Sequence, residues 1–208
     1  MILYLHGFRS SPRSFKARVM QERMTAAGRA GDLICPQLPA SPRAAMDLAL
    51  LLAERHAPHK LSIVGSSLGG FYATWLAERL GVRAVLLNPS VDPLKNLEQH
   101  VGVTTNWHSD EPFEVRRDYI DELAELKVAR ITQPERYFLV AATGDEVLDY
   151  RDMVTHYPGA RQQVIEGSDH AISEFPHYVD EVLAFCQPQV NWSATSNLAS
   201  NNKERELK

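Results

Sequence analysis

The chain has 208 residues, 44% of them hydrophobic and 23% charged, with a formal net charge of -4. That balance describes one soluble domain with a substantial core, and it lacks the basic surplus needed to follow a nucleic-acid backbone, so nucleic acid is not an expected partner. No apolar run approaches the ~20 residues of a membrane-spanning helix.

Met1 to Leu5 is a short apolar run, too brief for a signal peptide and without a basic flank or cleavage site, so a cytoplasmic location is expected. It reads instead as a buried parallel strand ended by His6-Gly7. Ser11-Pro12 then predicts a capped helix start, with Phe15, Val19 and Ala26 at helical spacing and an end near Gly28 or Gly31. Asp32 to Pro36 reads as a second strand, and Ser41-Pro42 repeats the cap signal ahead of a helix reaching about His56. Lys60–Val64 supplies a strand, Leu68–Leu80 a helix, and Arg83–Leu87, Tyr137–Ala142 and Gln162–Ile165 three further strands. Six strands with helical crossovers predict an α/β fold, a mostly parallel sheet with helices on both faces.

The strand rhythm stops between about 88 and 136, too long for an ordinary connection, which predicts an inserted helical segment. Within it Tyr119, Ile120, Leu123 and Leu126 form one apolar helical stripe, read as completing the shell rather than as a substrate lid. From 188 to 208 apolar residues thin out, so the domain is placed at 1–187 and a poorly ordered tail is expected beyond it. Two cysteines, Cys35 and Cys186, do not make a disulfide framework. Both are read as free, core-type thiols, with some exposure expected for Cys186.

The chemistry gathers at strand ends. Directly after the third strand stands Gly65-Ser66-Ser67-Leu68-Gly69, a G-x-S-x-G nucleophile elbow in its strand-turn-helix setting. Only Ser67 fits the pattern, because Ser66 would need a glycine at Val64. In such folds the acid and then the histidine follow on later strand-end loops. Thr143-Gly144-Asp145-Glu146 offers Asp145, and Glu166-Gly167-Ser168-Asp169-His170 offers His170, in the required order. Leu5-His6-Gly7-Phe8 is the expected oxyanion loop, with the backbone amides of Phe8 and Leu68 as donors and His6 as a loop organiser.

These four stretches together resemble the YqiA-like bacterial esterases, a compact α/β-hydrolase family, over about residues 1 to 187. The resemblance implies a sheet lacking the first two strands of larger α/β-hydrolases. It also implies cofactor-free hydrolysis of acyl esters, acyl-CoA thioesters included, with the physiological substrate, acyl-chain preference and oligomeric state left open.

Each assignment has a rival. His177 follows Pro176 in the first turn of a helix, away from the strand-end loop. Glu146, Asp149 and Asp152 compete with Asp145, while Asp169 is read as a turn residue. Arg9, Arg13, Lys16, Arg18 and Arg23 are read as a solvated helix face in preference to an anion site. His56 and His59 lack further ligands, so no metal is expected. The reading in another class is a catalytically silent scaffold that binds a small molecule or protein, because a fold alone does not guarantee activity.

Overall fold

A computed structural model describes residues 1–94, 101–105 and 112–187. Six strands form one all-parallel sheet in the order β2-β1-β3-β4-β7-β8. They are β1 (Ile2–Leu5), β2 (Leu33–Ile34), β3 (Ser62–Ser66), β4 (Arg83–Leu87), β7 (Tyr137–Ala142) and β8 (Arg161–Ile165).

The central strands are apolar at nearly every position because both faces are covered. Leu3, Leu5, Ile63, Ala84, Leu86, Tyr137, Leu139 and Ala141 turn to one face and pack beneath α2 (Pro42–Ala53), α3 (Leu68–Leu80), α4 (Asp118–Glu125) and α5 (Tyr150–His156). Ile2, Tyr4, Val64, Val85, Leu87, Phe138 and Val140 turn to the other, beneath α1 (Phe15–Ala26) and α6 (Phe175–Cys186). The period of two along each strand thus divides one continuous apolar run between two cores.

Ser41 caps α2 as its sequence predicts, its hydroxyl accepting from the Ala44 amide at 3.1 Å, with Pro42 in the first turn. The parallel signal at Ser11-Pro12 does not start a helix. Ser11 closes a turn, accepting from the Arg13 and Ser14 amides, and α1 begins at Phe15. Proline sits as readily at the second position of a β-turn as at a helix start, and here the chain must reverse after the first strand-end loop.

The inserted segment is not wholly helical. Gly102–Thr105 (β5) and Pro112–Val115 (β6) pair as an antiparallel ribbon, favoured by the β-branched run Val103-Thr104-Thr105. The expected amphipathic helix is α4, whose Leu123 is fully buried in the core shared with α2 and α3. Its Glu122 accepts from the Ser41 hydroxyl at 2.7 Å and from the Arg43 amide at 3.0 Å, tying the insertion to the start of α2. Residues 95–100, 106–111 and the 188–208 tail lie outside the described residues. Cys35 is partly exposed and Cys186 is buried, the reverse of the expected order, because α6 presses its last turn onto the sheet. No helix among the described residues is long and apolar enough to cross a membrane.

Candidate active site

Every residue expected in the chemistry lies at the carboxyl edge of the sheet, where a parallel arrangement brings successive strand-end loops side by side. Ser67 joins β3 to α3 with φ 55° and ψ -123°, a backbone conformation disfavoured for any side chain bearing Cβ and worth about 1–3 kcal/mol of strain. Hydrogen bonds on both sides hold it there. Its amide donates to the Leu87 carbonyl at 3.1 Å, and its carbonyl accepts from Gly70 at 2.8 Å and Ser90 at 3.0 Å.

Small neighbours are obligatory at this turn: a Cβ at Gly65 would strike the Gly69 carbonyl, and one at Gly69 would strike the Leu5 carbonyl. The elbow is therefore threaded between β1 and its own helix with backbone against backbone. The residue that follows the serine, Leu68, opens α3, where amides have no partner within the helix and the helix dipole is positive.

Asp145 and His170 meet. The imidazole Nδ1 lies 2.8 Å from Asp145 Oδ2, and the aspartate side chain is fully buried while the imidazole keeps about a fifth of its surface exposed. The other carboxylate oxygen accepts from the amides of Val147 at 2.8 Å and Leu148 at 2.9 Å, which leaves Oδ2 to the ring.

The competing acids have other occupations. Glu146 accepts from the backbone amide of His170 at 2.9 Å, Asp149 caps α5 through the Arg151 amide at 2.9 Å, and Asp169 binds the Ser173 hydroxyl and amide. Asp152 lies exposed on α5, and His177 is exposed in the first turn of α6 behind Pro176.

Ser67 and His170 line one cleft of about 640 Å³, together with Gly7, Phe8, Phe15 and Val147. The β1 loop enters it through Gly7, where a Cβ would stand 3.1 Å from that of Ser67, a tight approach that glycine relieves. His6 organises the loop from behind: the Leu38 amide donates to its Nε2 at 3.0 Å. That bond needs the Nε2 lone pair, so the ring carries its proton on Nδ1 and donates to the Gly7 carbonyl at 3.0 Å. On the cleft floor Tyr4 is wholly buried, which holds its phenol protonated far above the ordinary range, with the hydroxyls of Ser66 and Ser14 beside it.

Sequence reasoning missed two residues. Asn88, buried at the end of β4 with φ 43°, accepts from the Ala142 amide at 2.8 Å through Oδ1. Its amide nitrogen donates to the carbonyls of Asp169 at 3.0 Å and His170 at 3.2 Å. Lys16 is the second and corrects the reading of the basic cluster. Arg13, Arg18 and Arg23 are exposed, but Lys16 is only 7% exposed, and its Nζ donates to the carbonyls of His170 at 3.1 Å and Ala171 at 3.0 Å. Burial pushes the Lys16 ammonium down to about 8, against the pull of Asp145, Asp169 and Glu146. The Asn88 signal in sequence is faint, an asparagine at a strand end; for Lys16 there is none, since one basic residue among five looks like the rest.

The matching family model, described as an uncharacterised protein family, UPF0227, spans residues 1–187. The chain belongs to the UPF0227 family, the YqiA family that its motifs resemble. Its fold is that of the α/β-hydrolases. Mouse alpha/beta hydrolase domain-containing protein 10 superposes with a TM-score of 0.66 at 17% identity, over 88% of this chain and 89% of that one. Est1E from Butyrivibrio proteoclasticus, solved with ferulic acid bound, gives 0.66 at 13% identity over 88% and 87%. The esterase domain of a Rhodothermus marinus protein gives 0.58 at 19% identity over 88% and 83%. At these identities the likeness concerns the fold.

Among the described residues no three His, Cys, Asp or Glu side chains gather as metal ligands would.

Proposed function

We propose that the protein is a serine hydrolase that cleaves acyl esters, a carboxylesterase whose range extends to acyl-CoA thioesters, acting from the cytoplasm on small molecules and without a cofactor. The observation that carries this reading is the 2.8 Å contact of a buried carboxylate with His170, on the same cleft as a serine held at φ 55° in a strand-to-helix turn. The UPF0227 membership and the esterases among its structural neighbours point the same way.

In this mechanism Ser67 Oγ attacks the ester carbonyl as His170 Nε2 takes its proton. Asp145 keeps the ring's other proton on Nδ1 and stabilises the imidazolium that forms. The carbonyl oxygen gains negative charge opposite the backbone amides of Phe8 and Leu68, each worth about 3 kcal/mol to the transition state. His170 then passes its proton to the departing alcohol or thiol, and water repeats the sequence on the Ser67 acyl ester.

The test is labelling by a fluorophosphonate probe, with turnover of short-chain nitrophenyl esters, for the unaltered protein and Ser67→Ala. Labelling and hydrolysis that both vanish in the variant are expected. A folded, unaltered protein that takes no label sinks the enzyme reading and leaves a silent binding scaffold.

A further inference from the structure

The loop that carries His170 is built from residues distant in sequence. Three successive carbonyls, of Asp169, His170 and Ala171, point inward and find donors on other elements: Asn88 Nδ2 for the first two and Lys16 Nζ for the last two. The His170 carbonyl is thus shared by an amide from the end of β4 and an ammonium from α1. On the outer side Glu146 takes the His170 amide. Both backbone polar groups of His170 are therefore occupied by side chains.

An ammonium is an expensive way to satisfy two carbonyls beneath a helix, since burial penalises its charge and an apolar residue would pack there without that penalty. Lys16 both touches the histidine loop and lines the cleft, where its ammonium feels the charges of Asp145, Asp169 and Glu146. Asn88 has an additional duty in joining β4 to the Ala142 amide, whereas among the described residues the hydrogen bonds of Lys16 Nζ go to the histidine loop alone.

We propose that Lys16 is a positioning residue for His170: its ammonium clamps the His170 and Ala171 carbonyls and thereby fixes the imidazole between Asp145 and the cleft that Ser67 lines. This rests on the serine-hydrolase reading for its effect on rate, and on the geometry of the loop alone for its effect on the histidine. Lys16 itself touches neither the nucleophile nor the reacting carbonyl. Freed of the clamp, the loop would let the ring sample poses in which Nδ1 leaves Asp145, and a displacement on the order of 1 Å is enough to cost about 100-fold in a positioned reaction.

The test compares the unaltered protein with Lys16→Met, which fills the same space without donors, and with Lys16→Ala, which opens the wall of the cleft. Expected for Lys16→Met is a fall in kcat of about 10- to 100-fold with KM little changed. Activity of Lys16→Ala is expected to recover in part on adding ethylammonium chloride, and not on adding sodium chloride. The downfield proton resonance of His170 Nδ1–H, identified by its loss in His170→Ala, is expected to broaden in both Lys16 variants.

Unchanged kcat and an unchanged resonance in Lys16→Met would overturn the proposal, as would a loss of activity carried entirely by KM. Should Lys16→Met not fold, Lys16→Gln, which keeps a neutral donor, is judged on the same resonance and the same split of kcat from KM. Should the unaltered protein hydrolyse no ester and take no fluorophosphonate, the esterase reading fails by itself. The resonance then decides alone whether Lys16 holds the histidine.

Discussion

Ser67 is held by its own turn and by the strand beside it, whereas His170 is held by side chains from α1, from the end of β4 and from the β7 loop. The elbow needs glycines at 65 and 69, a hydrogen bond from the Ser67 amide to the Leu87 carbonyl and the start of α3, so its own turn and the strands on either side of it hold the geometry. The histidine loop has little of this. Its internal bonds, such as Ile172 to Asp169 at 3.0 Å, close a turn, but its aim comes from Lys16, Asn88, Asp145 and Glu146. Ser67 is held by its own turn and the adjacent strands, whereas the histidine loop, itself strained at Ile172 with φ 52°, is aimed by side chains from distant elements. Mutations should therefore break the two in different ways.

The largest contrast is between Gly69→Ala and His170→Ala. The added methyl drives into the Leu5 carbonyl, so Gly69→Ala is expected to yield no folded protein, or one with the elbow displaced and no fluorophosphonate labelling. His170→Ala should fold normally by circular dichroism and lose about 10⁶ in turnover. Equal melting temperatures for the two variants would show that the elbow is less tightly threaded than its contacts indicate.

Within the bracing of His170, Asp145 and Glu146 offer the next contrast. One holds the ring and the other the backbone amide, so Asp145→Asn is expected to cost about 10⁴ in kcat. Glu146→Gln, whose side-chain oxygen still accepts a hydrogen bond, should cost no more than about 10-fold. Similar, mild losses from both would shift the acid away from Asp145.

The smallest effect concerns stability and pH. Lys16 ionises at about 8 in the folded protein against an ordinary 10.5, because burial disfavours its charge. Below pH 8 it is protonated folded and unfolded alike, and the cost of burying the ammonium is fully present. Between about 8 and 10.5 only the unfolded chain keeps the proton, so the cost is relieved as pH rises. The stability of the unaltered protein relative to Lys16→Met should therefore increase by about 3 kcal/mol from pH 7 to 10.5, read from urea denaturation at the two pH values. Groups common to both proteins cancel in that difference. A flat difference would mean that burial does not lower the ionisation of Lys16 in the folded protein.

Much of the architecture is legible in the amino-acid sequence. The apolar runs at Arg83–Leu87 and Tyr137–Ala142 and the helix Leu68–Leu80 occupy the residues their patterns predict, because a strand buried on both faces and a helix starting at a glycine-rich elbow leave little freedom in where they begin and end. The Ser11-Pro12 start was misread because proline serves turns and helices equally, and the β5–β6 ribbon was missed because four-residue strands in a long insertion carry almost no periodicity.

For the site, residue type and chain order singled out Ser67, Asp145 and His170, since a parallel sheet brings each strand-end loop to one edge whatever the details. The sequence by itself determined the strand order of events: a nucleophile elbow, then a carboxylate, then a histidine, each after an apolar strand. Only the tertiary structure decided which carboxylate faces the ring and that a lysine from the first helix and an asparagine just after the fourth strand brace the histidine loop. Those choices depend on which backbone carbonyls are left without partners once the elements pack, and that is a property of the assembled edge of the sheet, to which no single stretch of chain has access.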